Sequence, residues 1–81
     1  MKIQLCCAPK NINLRIILVS GKNRTRLSEL GFIKDKIICV KNATNNHETI
    51  SVQIMDSVIG LRKVEAEKIL VETLEDSDVH I

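Results

Sequence analysis

A chain of 81 residues with 44% hydrophobic residues is long enough for one core, too short for two, and too apolar to be disordered. Phe32 is its only aromatic residue, which excludes the ring platforms that stack single-stranded bases and demands an aliphatic core of strand-favouring Ile and Val with Leu. The net charge of +2 hides an asymmetry: residues 1–41 hold nine Lys or Arg against two acids, and residues 42–81 hold three against eight. Such a chain either presents an electropositive face or cancels its charges by interleaving its halves.

Met1 to Asn11 reads as a lead-in, with Pro9 breaking any regular element, so the folded part of a single 1–81 domain is expected over about 12–74. Ile12, Leu14, Ile16 and Leu18 alternate with polar Asn13 and Arg15, which predicts a first strand, and the apolar Ile17 and Val19 predict cover on both sides of its end. Ser20-Gly21-Lys22-Asn23 is a turn cluster, and the Asn23 side chain is placed to cap a helix over Arg24–Leu30. Leu27 and Leu30, three apart, are expected to share the core-facing side of that helix. Gly31 is positioned as its left-handed stop, after which Phe32 and Ile33 fold back onto the core.

Lys34-Asp35-Lys36 predicts a turn, Ile37 to Val40 a strand covered on both faces, and Lys41 to Glu48 a polar loop. Ile50, Val52 and Ile54 alternate strictly with Thr49, Ser51 and Gln53, the pattern of a half-buried strand. A tight connection at Met55-Asp56-Ser57 leads to a strand at Val58–Leu61. One helical turn within Lys63–Lys68, a fifth strand at Ile69–Thr73 and a fraying acidic end at Glu75–Ile81 complete the chain. About five short strands and one short inserted helix near 24–30 predict an all-β fold, a small and strongly bent barrel.

The residues that carry chemistry do not assemble into a catalytic pattern. Cys6 and Cys7 are adjacent, whereas paired zinc ligands stand two to four residues apart, and Cys39 sits among apolar neighbours as a buried small hydrophobe. His47 falls in the polar loop and His80 in the tail. Glu65, Glu67, Glu72, Glu75, Asp76 and Asp78 read as a solvated acidic face, since residues 61–81 hold no Gly for the sharp turn of a calcium loop. With no phosphate loop either, the expectation is a non-enzymatic chain without a cofactor that neither hydrolyses GTP nor holds iron or zinc tightly. The alternative reading is a metal-binding or metal-sensing module using Cys6, Cys7 and the acids.

No signal segment or spanning-length apolar run is visible, and three cysteines make no disulfide framework, so the expected location is cytoplasmic, without membrane insertion or nucleic-acid binding. Lys22, Arg24 and Arg26 flank the start of the helix, where cations oppose its dipole. Together with Ser28 they form the candidate partner-binding set. Arg62, at a strand end, is expected to tie loops together through carbonyl groups.

Leu27-Ser28-Glu29-Leu30-Gly31-Phe32, a strand at Lys36–Lys41, and the ending Gly60-Leu61-Arg62-Lys63-Val64-Glu65-Ala66-Glu67-Lys68-Ile69-Leu70-Val71 resemble the family of ferrous iron transport protein A, FeoA. The likeness covers about Asn13 to Glu72. The chain departs from the family in two turns. Lys34-Asp35-Lys36 stands where Pro-Gly is common, and Asn45-Asn46-His47-Glu48 stands where Gly-Asp-Pro is common. The resemblance implies a small SH3-like barrel with one helix after the first strand. It also implies an accessory or regulatory role beside the FeoB ferrous iron transporter, exerted by protein contact with the transporter's cytosolic domain.

Overall fold

The computed structural model describes residues 2–44 and 48–74. Its strands are β1 (Lys2–Gln4), β2 (Asn13–Val19), β3 (Ile37–Ala43), β4 (Thr49–Ile54), β5 (Ser57–Arg62) and β6 (Ile69–Thr73). A 3-10 turn at Leu5–Cys7 follows β1, helix α1 (Arg24–Glu29) lies between β2 and β3, and helix α2 (Lys63–Ala66) joins β5 to β6. All six strands form one antiparallel sheet in the order β1-β6-β2-β3-β4-β5. The predicted all-β class holds, with one strand more than the pattern predicts. The residues read as a lead-in supply β1, whose Lys2, Ile3 and Gln4 pair with Glu72, Val71 and Leu70.

The core shows why the sheet must curl. Leu14 and Ile16 of β2, Ile38 and Val40 of β3, Ile50, Val52 and Ile54 of β4, Leu61 of β5, and Ile69 and Val71 of β6 are all buried in one cluster with Leu5, Leu27 and Phe32. Two helices of six and four residues are too short to cover a flat six-stranded sheet. Its apolar face therefore wraps around itself, and the strict alternation of β4 is the local signature of that inner face.

Two bulges set the curvature and re-aim side chains. In the β2–β6 ladder, Ile16 pairs with Val71 but Leu18 with Leu70, so Ile17 is the extra residue. The extra residue breaks the alternation predicted from Ile12 to Leu18: Leu14 and Ile16 are fully buried, whereas Leu18 is 56% exposed and the half-buried Val19 packs against the core instead. Ile12 precedes the strand and is also exposed. The second shift lies between Val40 and Asn42 of β3. Ile37, expected to be covered, is exposed, and Cys39 is half-buried rather than buried.

Helix α1 ends as its sequence dictates. Leu30 is the C-cap, Gly31 has φ +106°, the Phe32 N–H donates to the Leu27 carbonyl at 2.9 Å and the Gly31 N–H to the Ser28 carbonyl at 3.0 Å. This is a Schellman motif, and its apolar partners Leu27 and Phe32 are both fully buried. Leu30 and Ile33 do not join them. Each is exposed: Leu30 lies about 60° round the helix from Leu27, and Ile33 lies beyond the left-handed residue that turns Phe32 inward. At the other end, Asn23 occupies the N-cap position but its side chain makes no capping bond, its backbone angles lying outside the extended region such caps use.

The turn at Lys34-Asp35-Lys36 holds a left-handed residue without a glycine. Asp35 has φ +73°, and the Lys36 N–H donates to the Ile33 carbonyl at 3.1 Å, which places Asp35 where a type II turn prefers Gly. Bonds from the Asp35 N–H to the Ile16 carbonyl (2.7 Å) and from the Ile16 N–H to the Lys36 carbonyl (3.0 Å) pin the turn against β2. Asp35→Gly is therefore expected to stabilise the fold by about 0.5–1 kcal/mol, read as a higher denaturant midpoint. An unchanged or lower midpoint would show that the Asp35 carboxylate offsets its backbone cost.

Candidate functional site

The bulge in β2 and the stop of α1 converge on one surface. Leu18, pushed outward by the bulge, and Ile33, left outside by the helix stop, are 56% and 46% exposed. With Ile17, Val19, Phe32, Arg24, Ser28 and Lys34 they line a groove of about 220 Å³ between α1 and β2. Two members of the expected partner-binding set, Arg24 and Ser28, thus stand on the wall of an apolar groove. Lys22 is exposed in the turn that leads into the same helix. Among the described residues no carboxylate pairs with Lys22, Arg24 or Lys34, so the rim is cationic and uncompensated. The first turn of α1 contains no acid, and the cations at its start gain nothing from the helix dipole.

Arg26 has a different setting from the other three. Its guanidinium pairs with the Glu65 carboxylate, whose side chain is only 9% exposed. Glu65 also accepts a hydrogen bond from the Arg62 backbone N–H at 3.1 Å, which caps the start of α2. Arg26 therefore ties α1 to α2, and Glu65 is a buried structural acid rather than part of a solvated face. Arg62 contributes its backbone N–H to this cap, and its side chain is exposed, in place of the expected bridge between loops. A second pair joins Arg15 to Glu72, directly opposite each other in the β2–β6 ladder. Both ion pairs link the basic half of the sequence to the acidic half. The two halves interleave, and at these two points the charge of one half meets that of the other.

Other features lie elsewhere. A groove of about 330 Å³ runs along β2, β3 and β4, lined by Asn13, Ile37, Cys39, Lys41, Gln53 and Met55 among others. Among the described residues no group of three or more His, Cys, Asp or Glu comes together, so Cys39 does not join Cys6 and Cys7. His47, His80, Glu75, Asp76 and Asp78 lie outside the described residues. Cys6 is buried and Cys7 exposed. Burial first, then the neighbouring Cys7 and Glu67, pushes the Cys6 thiol up to about 11 from its ordinary 9.0, while Lys63 pulls the other way.

Two expectations follow from that shift. In alkylation near neutral pH, Cys7 is modified well before Cys6, checked by peptide mass mapping; equal rates would contradict the burial of Cys6. In alkali, the unfolded chain ionises Cys6 near 9.0 and the folded chain only near 11. The stability tied to this thiol is therefore present below pH 9.0 and is lost as pH climbs towards 11. Cys6→Ala is expected to flatten that part of the stability profile.

The family model for the FeoA domain matches residues 4–73. The chain belongs to the FeoA family. FeoA domains are associated with ferrous iron transport, and solved structures agree on the fold. An FeoA-like protein from Clostridium acetobutylicum is 25% identical, with a TM-score of 0.81 over 91% of this chain and 88% of that one. A zinc-complexed FeoA from Stenotrophomonas maltophilia, described as a procaryotic SH3 domain protein, is also 25% identical, with a TM-score of 0.75 over 86% and 89%. The IdeR protein of T. acidophilum, 17% identical, shares the fold alone, with a TM-score of 0.78 over 90% of this chain but 34% of that one. A sequence comparison with curated proteins finds no match. This FeoA chain has the small SH3-like barrel that the resemblance implies, and no helix among its described residues is long and apolar enough to cross a membrane.

Proposed function

We propose that this FeoA chain is a cytoplasmic, non-enzymatic accessory protein of a FeoB-type ferrous iron transporter, and that it acts by seating the groove between α1 and β2 on the transporter's cytosolic domain. The observation that carries this reading is the bulge that turns Leu18 out of the core to meet Ile33 in a groove with a cationic rim. A bulge that exposes a leucine costs core burial. That cost is explained if a partner's apolar side chain fills the groove and its carboxylates meet Arg24, Lys34 and Lys22. Apolar centres of this kind supply affinity, and rim charges supply encounter rate and salt dependence.

The test separates the two contributions. Lys22→Ser with Arg24→Ser leaves the Arg26–Glu65 pair intact. By surface plasmon resonance against the isolated transporter domain, this double variant is expected to associate more slowly at low salt, by about tenfold, with a flatter dependence on ionic strength. Association at the parent rate at low salt would place the contact elsewhere. Arg26→Ser serves as a contrast. It removes the partner of a buried carboxylate, so it is expected to lower folding stability by about 1 kcal/mol.

A further inference from the structure

We propose that Cys6 and Cys7 form a two-thiolate chelate for a soft monovalent cation of the copper(I) class. Adjacent residues do not normally aim their side chains at one point, since successive positions of a 3-10 turn are about 120° apart. Here the two sulfurs lie 3.7 Å from each other. The turn that holds them is fixed on both sides. Leu5 is fully buried in the core, the Ala8 N–H donates to the Leu5 carbonyl at 3.1 Å, and β1 immediately before it is paired to β6.

The spacing suits a bridging ion. With metal–sulfur bonds of about 2.3 Å, a 3.7 Å gap corresponds to a sulfur–metal–sulfur angle of about 107°, and a side-chain movement of about 0.3 Å opens it to the 120° of a three-coordinate ion. It suits a direct bond between the cysteines poorly. Neighbouring Cα atoms are about 3.8 Å apart, below the roughly 4.4 Å that unstrained disulfides span.

The donor set selects the ion. Among the described residues no third His, Cys, Asp or Glu joins the pair. Zinc in a structural site wants four protein ligands, and hard cations want oxygen. Monovalent copper prefers thiolates, and at this angle it takes three of them, the third coming from a thiol in solution. The roles of the sulfurs differ: Cys6, buried, anchors the ion, and Cys7, exposed, admits and releases it. Binding balances as one cation, the two protein thiols and one solution thiol giving the tris-thiolate complex and three protons. Lys63 and Glu67 at α2 are the charged groups acting on Cys6. Glu72 on β6 is paired with Arg15, and Lys2 on β1 is exposed.

The experiment is an anaerobic titration of the reduced full chain with copper(I) against the chromophoric chelator bicinchoninate. One copper(I) per chain is expected, retained in Cys39→Ser and weakened at least about 100-fold in Cys7→Ser, whose exposed position leaves the denaturant midpoint unchanged. Cys7→Ser binding within about threefold of the parent, or Cys39→Ser losing as much as Cys7→Ser, would overturn the chelate. So would a stoichiometric zinc retained through dialysis, which would require a full protein ligand set. The readout involves no transporter domain, so its failure leaves the groove between α1 and β2 untouched, and the reverse holds.

Discussion

Gly31→Val is expected to lower folding stability by about 3 kcal/mol, combining the left-handed backbone penalty of a β-branched residue with crowding of the core. Both causes are visible. Gly31 has φ +106°, and a Cβ built there meets Ile54 Cδ1 at 3.1 Å. The Schellman bonds from Gly31 and Phe32 fix the chain on either side, so the backbone cannot relax into an ordinary region without releasing Phe32, the largest buried side chain. For a domain of this size the loss corresponds to a drop in melting temperature of more than about 10 °C. Gly31→Ala, with less bulk and no branching, is expected to lose about half as much. Calorimetric midpoints within a degree or two of the parent for Gly31→Val would refute the helix-stop geometry. The contrast with Asp35→Gly is informative, because there the same backbone region is occupied by the wrong residue and the expected change has the opposite sign.

Leu18→Glu is expected to weaken association with the transporter domain by at least about 30-fold while leaving folding stability within about 0.5 kcal/mol of the parent. Leu18 is 56% exposed, so its replacement opens no cavity. It stands in the groove with Ile33 beside the cationic rim, so a carboxylate there removes the apolar anchor, neutralises part of the rim and repels an acidic partner. Met55→Glu makes the same chemical change on the β2–β3–β4 groove. Met55, 71% exposed at φ +56° in the two-residue β4–β5 loop, is expected to leave association unchanged. If Met55→Glu weakens association and Leu18→Glu does not, the two grooves exchange roles.

Much of this architecture is legible in the sequence because local pattern and tertiary burial agree. Leu14 and Ile16, and Ile50, Val52 and Ile54, alternate in the chain and are buried in the fold. Leu27, Gly31 and Phe32 announce the helix stop that the hydrogen bonds then show. The features that escape the sequence depend on distant partners. Strand β1 has three residues, too few for a period, and exists because β6 offers it an edge. The bulge at Ile17 is a property of the β2–β6 ladder, so no reading of β2 alone could turn Leu18 outward. Leu30 is three residues from Leu27, but that step leaves it about 60° round the helix, on the rim of the buried face rather than in it. Glu65 looks like one acid in a solvated run because its partner, Arg26, is 39 residues away. The candidate site shows the same division. Lys22, Arg24 and Ser28 are readable as an exposed set, but the apolar groove that gives them a purpose is made by the bulge.

The most direct measurement is a titration of isotope-labelled chain with the cytosolic domain of a FeoB-type transporter, followed residue by residue through its amide NMR signals. Seating of the groove between α1 and β2 predicts shifts concentrated at Leu18, Arg24, Ser28, Ile33 and Lys34, with Ile37, Cys39 and Met55 unmoved. Shifts concentrated at Ile37, Cys39 and Met55, or no shifts at saturating partner, would contradict it.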